Sequence, residues 1–199
     1  MHRYFRFLLI IFSLIFLRQV SAQNEAYYYE LQDYPNGYTS GLVAARVVDG
    51  LGYRFYWATD SLTAEDLQFA PGEDARSIEE TVDHIYNLVL ILRNAVEEKP
   101  TKFPIELESL SYDQKRQTIL GNIQASSAIL QKSDDADFDR YKMVFQYADG
   151  GTSEYPFWNL LNGPIADALW HTGQIVSFRR SAGNPFNSNA SMLRGKVRK

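Results

Sequence analysis

The sequence predicts an all-α protein, a four-helix bundle with a short β-hairpin before its last helix. Apolar residues recur at three- and four-residue spacing in four stretches of roughly twenty residues, the length and number a bundle needs. Capping residues or proline open those stretches, and Tyr141 to Tyr147 alternates in the manner of a strand instead. With 199 residues, 45% of them hydrophobic, the chain can bury one substantial core, and a second domain is not expected.

The N-terminus reads MHRYFRFLLIIFSLIFLRQVSAQ, with Arg3 and Arg6 ahead of an apolar run from Phe7 to Leu17 and small residues, Val20-Ser21-Ala22, before Gln23. This is the layout of a secretory signal peptide over residues 1–22, and the run falls short of the ~20 residues of a membrane span. The expected product starts at Gln23, is exported to the periplasm or secreted, and keeps no stable span. Arg18 inside the cleavage region is the feature that favours an uncleaved anchor. Residues 23–38 are rich in Tyr, Asn and Gln around Pro35-Asn36-Gly37 and show no period, so an irregular lead-in strapped to the surface by its tyrosines is expected.

The bundle spans residues 39–186. Thr39 or Ser40 caps a first helix to about Thr59, with Leu42, Ala45, Val48, Gly52, Phe55 and Tyr56 on its buried side, and Gly50 and Gly52 suit close packing against a partner helix. Leu62 to Arg76 is a connection broken by Pro71-Gly72. Ser77-Ile78-Glu79-Glu80 is a capping box that starts a second helix ending near Glu98, before Pro100. Its apolar stripe runs through Ile78, Val82, Ile85, Leu88, Val89, Leu92 and Val96, and His84 lies just off it. A third helix runs from Ser111 to about Gln131. Tyr141 to Tyr147, the turn Asp149-Gly150-Gly151 and Thr152 to Tyr155 make the hairpin. The last helix starts at Pro156, must kink or restart at Pro164, and stops at Asn184-Pro185. Residues 187–199 read as a basic, flexible tail.

Charge and cysteine content exclude several functions. Removing Arg3, Arg6 and Arg18 from the 20 Lys and Arg leaves 17 against 24 Asp and Glu, a formal net charge of −7, which makes nucleic acid an unsuitable partner. No cysteine is present, so disulfides, thiolate nucleophiles and Cys-ligated metals are ruled out. Any metal site must use His and carboxylate.

Within the last helix one stripe, Leu160, Gly163, Pro164, Asp167, His171, Gln174 and Phe178, is too polar for a plain core face. The neighbouring stripe, Trp158, Leu161, Ile165, Ala168, Leu169, Thr172, Ile175 and Val176, is apolar and expected to be buried. Asp167 and His171 are four apart on one face, and His84 lies on another helix of the bundle. Two ligands one turn apart plus a third from elsewhere can hold a divalent ion with a position left open, and imidazole with carboxylate suits zinc or nickel. Asp-x-x-x-His is also frequent by chance, and a helix-surface pair or a hydrogen-bonded core histidine explains the same residues. Gln174, Tyr56 and Trp57 are candidates to line a pocket above the ion, although aromatic residues at helical spacing are more often core.

The segments SIEETVDHIYNLVLIL, around His84, and DALWHTGQIVSFRRSAGNP, around His171, together resemble the DinB superfamily of metal-binding four-helix bundles. The resemblance covers about Ser40 to Pro185 and implies an up-down-down-up bundle with ligands on the second and last helices. It assigns His84 as the first ligand and His171 as the last, with Asp167 at the position where the family usually carries His. Gly173, Gln174, Arg179 and Arg180 match as well; helix packing explains Gln174, and a solvated cationic helix end explains the arginines. The activity implied is that of a metal-dependent hydrolase or transferase acting on an unidentified small molecule. The rival is a non-catalytic bundle that binds a ligand or partner protein around a degenerate site, and a homodimer is compatible with either.

Overall fold

The computed structural model describes residues 27–33, 35–105 and 109–199. The expected signal peptide and its cleavage position lie outside the described residues. Four long helices make the bundle: α1 (Ser40–Thr59), α3 (Ile78–Val96), α4 (Tyr112–Leu130) and α6 (Ala166–Ser181). α1 and α3 each pack against both α4 and α6, so α1 lies diagonally across from α3 and α4 from α6, while α3 and α4, consecutive in sequence, lie side by side. No helix among the described residues is long and apolar enough to cross a membrane.

Capping chemistry sets most helix starts. Thr39 accepts from the Leu42 amide at the start of α1. At α3 the Ser77 hydroxyl accepts from the Glu80 amide at 3.2 Å, and the Glu80 carboxylate accepts from the Ser77 amide at 2.8 Å. Ser111 and Gln114 repeat this arrangement at α4. A short α2 (Ala64–Gln68) interrupts the expected loop, opened by a further box between Thr63 and Asp66.

β2 (Met143–Tyr147) and β3 (Thr152–Tyr155) form the expected antiparallel hairpin. β1 (Thr101–Phe103), not expected, adds a third strand parallel to β2, with Thr101 opposite Phe145. Three residues are too few to show a period, and the pairing joins residues more than forty positions apart.

The lead-in differs from a surface strap. Tyr28 is fully buried and donates its hydroxyl to Asp49 Oδ1 at 3.0 Å. Its ring takes the space that Gly52 leaves, since a Cβ there would sit 2.4 Å from Tyr28 Cζ. The close approach expected of Gly52 is therefore made to a ring rather than to a helix. With the lead-in on one side and two helices on the others, α1 is buried nearly all round, from Ala44 through Leu51 and Tyr53 to Ala58.

Residues 187–199 also differ from a loose tail. β4 (Ala190–Ser191) and β5 (Lys196–Val197) pair and pack back on the lead-in, where Leu31 donates to the Gly195 carbonyl at 2.7 Å and Val197 to Glu30 Oε1 at 2.8 Å.

The last helix neither breaks nor restarts at Pro164. It begins as α5 (Phe157–Leu160), passes through a π-helical segment (Leu161–Ile165) and continues as α6. Pro164 has no amide hydrogen, and a wider turn accommodates its ring without ending the helix. Phe157, Leu160, Pro164, Ile165, Ala168, Thr172, Ile175 and Arg179 are the buried residues, while Trp158, expected on the buried stripe, points out with 78% of its surface exposed.

Arg179 is the largest fully buried side chain among the described residues and not a solvated helix end. Its Nη1 donates to the carbonyls of Trp57, Ala58 and Asp60 at 3.0–3.1 Å, which are unpaired acceptors at the end of α1. Its Nε and Nη2 donate to the carbonyl and side-chain oxygen of Asn184.

Candidate metal centre

α3 carries His84 and α6 carries Asp167 and His171, and the packing of α3 on α6 brings the three together. His84 Nε2 lies 3.3 Å from Asp167 Oδ2, and His171 Nε2 lies 3.3 Å from Asp167 Oδ1. The two imidazoles meet edge to face, with ring centroids 4.6 Å apart at 86°. Each residue offers one ligand atom such that all three lie within 4.8 Å of one another.

The donor set fits a divalent ion. Each imidazole Nε2 lies 3.3 Å from a different oxygen of Asp167, and one donor atom from each residue falls within 4.8 Å of the others, a spacing that ligands about 2.1 Å from a shared ion can close on. Two imidazole nitrogens and one carboxylate oxygen supply a mixture that borderline divalent metals accept. The centre is shallow, with side-chain exposures of 29% for His84, 43% for Asp167 and 13% for His171, so a small molecule can reach it from solvent.

Burial pushes the His84 pKa below the ordinary histidine value; the positive charge of Arg76 and the neighbouring His171 act in the same direction, and Asp167 opposes them in part. A histidine held neutral is the form that ligates. Arg76 was not evident from sequence as part of the site. Its one signal is its place immediately before the Ser77 cap, on the end of α3 that leads to His84.

Gln174, three residues along the same face, has Oε1 2.7 Å from His171 Nδ1, so it touches the site directly. Tyr56 and Trp57 are placed elsewhere. Both rings contact Tyr29, the Arg116 guanidinium lies 4.9 Å over Tyr56, and the Trp57 carbonyl is one of the acceptors of Arg179. They form part of the packing at the end of α1, as their helical spacing allows.

A model of the DinB family matches residues 53–189. Among solved structures the chain is similar to YfiT from Bacillus subtilis, described as a probable metal-dependent hydrolase with an unusual four-helix bundle topology, at 14% identity and a TM-score of 0.51 over 77% of this chain and 94% of that one. It is also similar to YjoA, a DinB-like protein from Bacillus subtilis, at 17% identity and a TM-score of 0.44 over 72% of this chain and 90% of that one. No curated protein matches.

Proposed function

The chain belongs to the DinB family, and on that premise we propose that it binds one divalent metal ion through His84, Asp167 and His171 and is an exported, metal-dependent hydrolase of a small molecule, with zinc or nickel as the ion. The observation that carries this reading is the convergence of three ligand atoms from two helices within 4.8 Å. The description of YfiT as a probable metal-dependent hydrolase supports the reaction class. The layout of residues 1–22 supports export.

Each residue has a distinct role. His84 and His171 present imidazole nitrogen donors from two packed helices, and Asp167 contributes a carboxylate oxygen. A bound divalent ion would supply Lewis acidity toward a carbonyl or phosphoryl oxygen. The side chains hold their positions before the ion arrives, because α3 and α6 fix them and Asp167 already faces both rings. That last contact also favours the rival reading, in which Asp167 only bridges two histidines in a metal-free ligand-binding bundle.

Asp167→Asn separates the two. It keeps the shape and removes the charge, so metal affinity is expected to fall by more than the roughly 10- to 100-fold that loss of an outer partner of a ligand costs. The metal-free melt is expected to stay within about 0.5 kcal/mol of wild type, as for other partly exposed positions. Asp167→His is expected to retain or tighten binding. Calorimetric titration with zinc and nickel gives the affinities; an Asp167→Asn protein that binds as wild type does, or that unfolds without metal, makes the aspartate structural and supports the rival.

A further inference from the structure

In its neutral form an imidazole has one N–H and one bare nitrogen, and which is which depends on the partner of the ring nitrogen that faces away from the reacting side. At His171 that partner is Gln174. Its Oε1 is 2.7 Å from Nδ1, while Nε2 points at Asp167 Oδ1, 3.3 Å away, and the ring packs edge to face on His84. A glutamine amide presents an acceptor at one end and a donor at the other. Two states are therefore open to this ring, and they have opposite consequences.

When Gln174 accepts through Oε1, the hydrogen is on Nδ1 and Nε2 is bare. A bare nitrogen and a carboxylate oxygen then face each other without a hydrogen between them, an arrangement that a bound cation relieves. When Gln174 instead donates its amide to Nδ1, the hydrogen moves to Nε2 and is donated to Asp167. The site is then closed by an internal hydrogen bond, and a metal ion must displace a proton to enter.

We propose that Gln174 is a positioning residue that accepts from His171 Nδ1 and so keeps Nε2 bare toward Asp167 and His84, which makes the site ready for a divalent cation. This rests on the metal-binding reading above. The packing of the helices supports it, since His171 and Gln174 share one face of α6 and move together as one rigid element. The bond length is that of a well-formed contact, and an outer partner that fixes the ring in this way also raises the basicity of the ligating nitrogen.

The test uses the full protein, first without metal. Long-range nitrogen–proton correlation spectra of the metal-free wild type are expected to show His171 with its hydrogen on Nδ1; a spectrum with the hydrogen on Nε2 overturns the proposal whatever the protein does with metal. Zinc titration then compares Gln174→Leu, which has no acceptor, with Gln174→Glu, which can only accept. The expected result is an affinity loss of about 10- to 100-fold for Gln174→Leu, with Gln174→Glu at or above wild-type affinity and retaining the Nδ1 hydrogen. Wild-type affinity in Gln174→Leu, or an equal loss in both variants, overturns it. Should the leucine variant fail to fold, the spectrum and affinity of Gln174→Glu decide alone. If wild type binds no zinc, the metal reading fails, while the tautomer spectrum still decides the role of Gln174.

Discussion

Replacing Arg179 with alanine is expected to destabilise the protein by about 3–5 kcal/mol, the scale on which removing one member of a buried charged network acts. Arg179 is 2% exposed and donates five hydrogen bonds, to Trp57, Ala58 and Asp60 at the end of α1 and twice to Asn184 beyond α6. Asn184 in turn donates to Asp66 Oδ2 at 2.7 Å and to the Ser61 carbonyl at 3.1 Å. One guanidinium thus ties the first helix, the α2 cap and the end of the last helix. Alanine leaves the three carbonyls without that donor and opens a cavity where a large, fully buried side chain stood. Against a total stability of about 5–15 kcal/mol this is a large fraction. Arg179→Lys is expected to recover little, because one ammonium cannot serve two sets of acceptors in a fork. Urea unfolding measures the difference; a midpoint shift equivalent to less than about 1 kcal/mol, the ordinary effect of a single mutation, would show that the clamp is dispensable.

Chelation is expected to lower the melting temperature of the loaded protein. An ion present at a hundredfold excess over its dissociation constant adds about 2.7 kcal/mol by mass action. For a chain of this size each 1 kcal/mol moves the midpoint by about 2–4 °C, so the shift should be roughly 5–11 °C. The pH dependence has a definite sign. The folded-state pKa of His84 is depressed by burial and then by Arg76, so its contribution to stability is present above the ordinary histidine value and is lost as pH falls through the folded value. Protons also compete with the ion for both imidazoles. Mild acid should therefore lower the melt of the metal-free protein and narrow the gap that chelator produces, and a chelator shift that grows on acidification would contradict this.

Local chemistry made much of the bundle legible in the sequence. Ser77 and Glu80 close a capping box within four residues, and the alternation from Tyr141 to Tyr147 matches the strand that forms. His84 and His171 lay at the edges of apolar stripes, and helix packing brings them together with Asp167. What escaped depends on partners distant in sequence. Tyr28 reads as one of several tyrosines in a polar stretch, and only the space at Gly52 shows that it belongs in the core. Arg179 carries a charge at a helix end, and its burial follows from unpaired carbonyls 119–122 residues away. The helix opened by the box at Thr63 and Asp66 is only five residues long, too short to show a period. Pro164 signals a disturbance without saying whether the chain breaks, kinks or widens its turn.

Metal analysis of purified protein by mass spectrometry, comparing wild type with His84→Ala/His171→Ala, tests the central claim most directly. Both histidines are partly exposed, so the double variant is expected to fold, which its circular dichroism spectrum checks. The account predicts about one divalent ion per wild-type chain, the number that a single three-ligand centre holds, and background metal in the variant. Equal metal content in the two proteins, or a folded wild type that takes up none when zinc and nickel are supplied, would contradict it.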